Sequence, residues 1–370
     1  MSKTTALLII LLVGTLTTTC FTQQWTVKYG RLPSGDNLSS DNKAYSIAAG
    51  DNGCVYVAGY TGALDVSSIC LVKYGPNGDT LWTRVFPEGI QNNENKAYAV
   101  TIDHQWDIIV TGFITSETNG ADIITRKYDP DGNLIWSEPF NGLGNGDDKA
   151  YAITVDSYDN IYITGFTTGY QGTDYVTIRY DSDGTRHWVT TSDGPMHSDT
   201  ATSITMVGDN LVAVTGCMKS SSNNMEIVTY VYNSNTGEQA RKKEYSGNSN
   251  GDSKGNAITS DNQGNVYVTG YTTGSTTGKD IAILKIDPDG NLTAIQPVDI
   301  SGYDDIGNSI GLSGNGDVLV TGVTSAGDIT TDNYITLSYS SDGISQWRKI
   351  CNGTGDNTDI AYKMAVSTTA

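Results

Sequence analysis

The sequence predicts an all-β fold, a β-propeller built from four-stranded antiparallel blades. A short strand-like run ending in glycine, Asn265-Val-Tyr-Val-Thr-Gly-Tyr271, recurs around the glycines at 59, 112, 165, 216, 270 and 322. The steps between these glycines lie between 51 and 54 residues, and a fixed period near fifty with a strand in each copy marks a repeat architecture. Each period also holds four strand-like runs separated by turn signals, as a propeller blade requires. Nothing with helical periodicity follows the first twenty-odd residues. The 370-residue length argues against a single sandwich, because one core seldom grows that far.

Residues 1–22 stand apart from the repeats. Lys3 precedes an apolar run from Ala6 to Leu16, and small residues follow at Thr17 to Thr19. The run is shorter than the roughly 20 apolar residues that span a bilayer, so it reads as a secretory signal peptide cut between Thr19 and Gln23. Cys20 raises lipid anchoring, but Thr17 stands where a lipobox carries leucine. The expected product is an exported, secreted or surface-exposed protein with one propeller domain over 23–370 and no transmembrane segment.

Within a period the first run, strand A, is Lys-Ala-Tyr-Ala-Ile or a variant, as at Lys43–Ile47, Lys96–Val100 and Lys149–Ile153. Later copies are Thr200–Ile204, Lys254–Ile258 and Ile306–Ile310. Strand B is the glycine-ended run, in which threonine and glycine are expected to mark the passage into a loop. Strand C follows, as in Asp174–Tyr180, and leads to turns such as Tyr128-Asp-Pro-Asp-Gly-Asn133. There proline presets φ, aspartate closes a side-chain turn and glycine supplies positive φ. Strand D carries Trp82, Trp136, Trp188 or Trp347, with Ala240 and Ala294 expected in that place in the other copies. These aromatic residues read as packing between blades.

Counting strands adds a lone D strand around Trp25 and a lone A strand at Ile360–Ala365 to six full sets. The expected plan is therefore seven-bladed with an incomplete last blade. A six-bladed arrangement is the alternative.

The sequence G-N-V-Y-V-T-G-Y, then K-Y-D-P-D-G-N-x-x-W, then K-A-Y-A-I resembles the SBBP-type β-propeller repeat of exported bacterial proteins. The resemblance runs from about Gln23 to the end and implies a fold and a location, with no reaction attached to the repeat.

Net charge is −19, and loss of residues 1–22 removes one lysine more. Such a surface repels nucleic acid and anionic membrane. The cysteines after Cys20 (Cys54, Cys70, Cys217 and Cys351) show no metal spacing and no repeat, so they are expected as small buried strand residues rather than a disulfide framework.

Two sets of carboxylates recur. Asp122, Asp174, Glu226, Asp280 and Asp332 close the B–C loop, with Ser68 in the first copy; Asp41, Glu94, Asp147, Asp199, Asp252 and Asp304 precede strand A. Turn capping explains them most simply. Calcium, which takes several oxygens at once, is the metal they would suit. Asp122, Asp174, Glu226, Asp280, Asp332, Asp147 and Asp252 are the candidate ligands; no other cofactor is expected. His104, His187 and His197 occupy non-equivalent positions, and neither G-x-S-x-G nor H-E-x-x-H occurs. The expectation is a monomeric, non-catalytic binding or surface-interaction module with a protein or glycan ligand on its loop face. The alternatives are a glycan-active hydrolase or a structural spacer of a larger surface protein.

Overall fold

The computed structural model describes residues 41–63, 66–86, 93–116, 120–247, 251–276, 278–300, 302–325, 332–352 and 359–366. The expected signal peptide and the strand around Trp25 lie outside them. The chain divides into two compact units, 1–150 and 151–370.

The first unit holds two sheets. β1 (Asp41–Ala49), β2 (Val55–Ala63), β3 (Val66–Tyr74) and β4 (Thr80–Phe86) pair in chain order. β5 (Lys96–Ile102), β6 (Ile108–Thr115), β7 (Ala121–Tyr128) and β8 (Leu134–Phe140) do the same. Tyr56, Leu71, Ile108, Val110 and Tyr128 fill the core between these sheets.

The second unit holds four sheets, and the division between units falls inside β9. These are β9 (Lys149–Val155) to β12 (Arg186–Ser192), with β10 (Ile161–Thr168) and β11 (Thr173–Tyr180) between them. Next come β13 (Thr200–Val207), β14 (Leu211–Lys219), β15 (Met225–Asn233) and β16 (Gln239–Tyr245). β17 (Ser253–Ser260), β18 (Val266–Thr273), β19 (Lys279–Ile286) and β20 (Leu292–Val298) form the fifth sheet. β21 (Asp305–Leu312), β22 (Val318–Ser325), β23 (Asp332–Tyr339) and β24 (Ser345–Cys351) form the sixth. All are four-stranded and pair in sequence order through antiparallel ladders. The chain is thus all-β, with the four-stranded blades of a β-propeller, and each strand predicted from the six full repeats is present.

Complete blades among the described residues number six, so the seven-bladed expectation is corrected to the alternative. The segment 359–366, expected as a lone A strand, pairs in no ladder because no B strand lies beside it among the described residues. It still lies along β21. Asn308 Nδ2 donates to Ala361 O at 3.0 Å, as Asn256 Nδ2 does to Gly307 O at 2.9 Å one sheet earlier.

The recurring threonine and glycine do not end strand B, contrary to expectation. They sit mid-strand, and the threonine is buried: Thr111, Thr164, Thr215, Thr269 and Thr321 donate to strand C carbonyls at 2.8–3.3 Å. Satisfied in this way, a hydroxyl tolerates full burial. The glycine answers a bulge in strand A, where the register slips between Ala44 and Ser46, Ala97 and Ala99, Ala201 and Ser203, Gly255 and Ala257, and Gly307 and Ser309. The bulge presses a strand A carbonyl onto the glycine, so a Cβ on Gly59, Gly112, Gly216, Gly270 or Gly322 would stand at most 2.0 Å from that oxygen.

Ladder register also relocates the tryptophan series. Trp82, Trp136 and Trp188 pair with Lys73, Lys127 and Arg179 of strand C. The residues paired at that level in the next two blades are Arg241 and Thr293, not Ala240 and Ala294. The C–D turn of blade four is one residue longer, and blade five lacks the bulge that precedes the tryptophan elsewhere.

Cys54, Cys70 and Cys217 are free and buried as expected, whereas Cys351 is exposed on β24.

Candidate functional site

The B–C loop and the following D–A loop run side by side at one end of each blade. In the second unit Thr173 pairs with Ser198 in a parallel bridge: Thr173 N donates to His197 O at 3.0 Å and Asp199 N to Thr173 O at 2.9 Å. In the first unit Ser67 and Glu94 form the same bridge. Backbone pairing fixes both loops, leaving their side chains for other work.

The carboxylates before strand A belong to two positions rather than one. Asp147, Asp252 and Asp304 accept from the first residues of the adjacent strand C, Ala121 N at 3.0 Å, Met225 N at 2.8 Å and Lys279 N at 3.0 Å. Asp199 stands one residue later, level with Asp148 and Asp305, and all three are completely buried. Each accepts from the D–A loop backbone: Asp148 from Gly142 N at 2.7 Å, Asp199 from Gly194 N, and Asp305 from Ile300 N at 2.7 Å. A carboxylate that accepts such N–H groups organises a loop whether or not a ligand is bound.

In the B–C set, Asp122, Asp174, Glu226 and Asp280 pair with Ile114, Thr167, Met218 and Thr272 and are equivalent. Asn333 takes that level in the sixth blade, and Asp332 sits one residue earlier, accepting from Ser325 Oγ at 2.7 Å. Burial first, then the nearby Asp148, pushes the Asp122 carboxyl above its usual range.

Among the described residues, one group of three acidic side chains has ligand atoms within 4.8 Å of one another: Asp174, Asp193 and Asp199. Of the seven candidate ligands only Asp174 belongs to it. Burial and then the neighbouring Asp193 push Asp174 up to about 6. Burial also raises Asp199, against the pull of the Gly194 and Lys219 N–H groups. His197 completes the cluster, its Nδ1 2.7 Å from Asp193 Oδ1. The sequence reading missed Asp193 and set His197 aside because neither repeats in other blades. Their signal was local, an Asp-x-x-x-His-x-Asp spacing within one loop. Chemically the arrangement lets Asp174 hold a proton up to about pH 6, beside its carboxylate neighbours. Both Asp199 oxygens are already engaged, by Gly194 N and Lys219 N, which leaves few free lone pairs for a hard cation that wants six to eight.

The same loops carry large exposed side chains: Tyr170 at 83%, Leu143 at 78% and Tyr303 at 51%. At the other end of the blades the Asp-Pro-Asp-Gly-Asn turns are closed β-turns. Asp287 accepts from Asn291 N at 2.7 Å and Asn291 Nδ2 at 2.8 Å, and those bonds hold its carboxyl below the usual range. In the first unit the buried Lys127 joins Asp103 at 2.7 Å and Asp107 at 3.2 Å, bracing an A–B turn. His187 lies 3.0 Å from Asp181, apart from the three-carboxylate group.

No protein-family model and no curated protein matches this sequence. Solved structures do. Sqt1 from Chaetomium thermophilum is 10% identical with a TM-score of 0.54, over 87% of this chain and 74% of that one. The Dos1 propeller is 10% identical with a TM-score of 0.49, over 82% and 74%. A protein of unknown function from Bacteroides caccae is 13% identical with a TM-score of 0.44, over 75% and 85%. At these identities likeness speaks to the fold alone, and the fold is a β-propeller.

Proposed function

We propose that this chain is an exported, non-catalytic binding module of the cell surface whose ligand, a protein or a glycan, is held by the face carrying the B–C and D–A loops. One observation carries the reading. In the second unit the carboxylates Asp199 and Asp305 at the base of these loops take backbone N–H groups, while Tyr170 and Tyr303 stand out into solvent. A rigid loop base with exposed aromatic tips suits recognition, since aromatic side chains offer large contact area at low entropic cost. The signal-like residues 1–22 and the acidic balance support export and a partner that is not a polyanion.

A hydrolase acting on glycans is the second reading, favoured by Asp174, Asp193, Asp199 and His197 in one loop cluster. The mature protein should be applied to a glycan array and, in parallel, to a panel of glycosidase substrates. The binding reading expects saturable array binding without turnover. Turnover abolished by Asp193→Asn would establish the hydrolase instead.

A further inference from the structure

We propose that the groove between β20 and the C–D turn of the sixth blade, residues 340–344, binds a planar aromatic ring bearing an N–H donor, an indole in the first instance. One strand D position is filled differently from blade to blade. In the first blade Trp82 Nε1 donates to Pro130 O in the next blade's turn at 3.1 Å. Beside it Lys73 Nζ donates to the same oxygen at 2.9 Å, and Tyr56 packs against the indole with ring centroids 5.9 Å apart. In the third blade Trp188 Nε1 donates to Ser234 O at 3.0 Å, with Tyr162 at 6.0 Å between centroids. That indole covers Gly237, where a Cβ would stand 2.8 Å from the ring. The fourth blade substitutes a guanidinium: Arg241 Nη1 donates to Asp287 O and Pro288 O, each at 2.9 Å.

The fifth blade keeps every part of this arrangement except the ring. Lys285 Nζ donates to Ser341 O at 3.2 Å and lies over Tyr267, as Lys73 does at Pro130 and Tyr56. The ladder partner of Lys285 is Thr293, too short to reach the turn. Beside Thr293 lies an open groove of about 500 Å³ lined by Thr293, Ile295, Tyr339, Asp342 and Gly343, among others. A carbonyl oxygen accepts two hydrogen bonds, so Ser341 O can take an indole N–H beside the lysine, as Pro130 O does. Tyr339 and the apolar side of Ile295, which lies against Gly343, supply the packing surfaces.

Calorimetric titration of the whole protein tests this with indole, 1-methylindole and N-acetyltryptophanamide. Indole should bind saturably, and 1-methylindole, which lacks the donor, at least tenfold more weakly. Binding of N-acetyltryptophanamide as well assigns the groove to a tryptophan side chain; binding of indole alone assigns it to a free small molecule. Thr293→Trp should fill the groove, abolish indole binding and raise the melting temperature by about 1–3 °C. Thr293→Arg, which repeats the solution of the fourth blade, should block binding in the same way and serves if the tryptophan variant folds poorly. Absence of saturable binding, equal affinity for 1-methylindole, or unchanged binding in a folded Thr293 variant would overturn the proposal.

Discussion

Asp174 is the residue whose environment departs furthest from what its repeat position suggests. Its siblings sit at the same ladder level, but only here do Asp193, Asp199 and His197 converge on the carboxyl. Burial and Asp193 raise it from 3.8 to about 6. The folded state therefore binds the proton more tightly than the unfolded chain, and the stability this contributes is fully present below about pH 4. It is lost as the pH rises through about 6. Asp174→Asn removes the titration while keeping the shape. Thermal unfolding from pH 4 to pH 7 should show a smaller decline for the variant than for the parent, and a higher melting temperature at pH 7. Parallel pH curves for the two proteins would mean that the carboxyl is not strained at all. The sequence marked Asp174 and Asp199 as repeat carboxylates, but not their convergence with Asp193 and His197, because the cluster comes from two loops joined by a parallel bridge that no periodicity announces.

At the scale of elements the repeat is plain in the sequence, but two of its signals point the wrong way. The strand B glycine looks like a strand end, since glycine and threonine commonly mark loops. Its cause is a bulge in the neighbouring strand, a feature that leaves its trace in strand B rather than where it occurs. Gly270→Ala puts a methyl group about where the Lys254 carbonyl already is, and should cost about 3 kcal/mol in denaturant unfolding. A cost below about 0.5 kcal/mol, the range of ordinary surface substitutions, would show that the bulge relaxes freely. The tryptophan position shifts in two blades for a related reason: one extra turn residue in the fourth and a missing bulge in the fifth move the pairing by one. In strands a shift of one reverses the facing, and sequence spacing alone cannot detect it. Strand existence was legible because β-branched runs, proline–glycine turns and a fifty-residue period all agree.

For the whole molecule, the fold class followed from periodicity, while blade number depended on end segments whose pairing the sequence does not specify. Residues 359–366 carry the inner-strand pattern and lie along β21, yet among the described residues they have no partner strand and make no ladder. Function was less legible still. Capping carboxylates and ligating carboxylates share the same residue types and spacing, and only the hydrogen bonds to Gly142, Gly194 and Ile300 separate loop support from free ligand atoms. The acidic balance of the chain disfavours polyanionic partners in a salt-dependent way and names no positive one. Binding by the B–C and D–A loop face is tested by comparing three proteins. The parent, a Tyr170→Ser/Tyr303→Ser variant of that face and a Tyr158→Ser variant of the opposite turns are measured on the same glycan array. Recognition at the loop face gives at least tenfold weaker binding for the loop-face variant and parent-like binding for Tyr158→Ser. Equal binding by all three, or loss only in Tyr158→Ser, would contradict it.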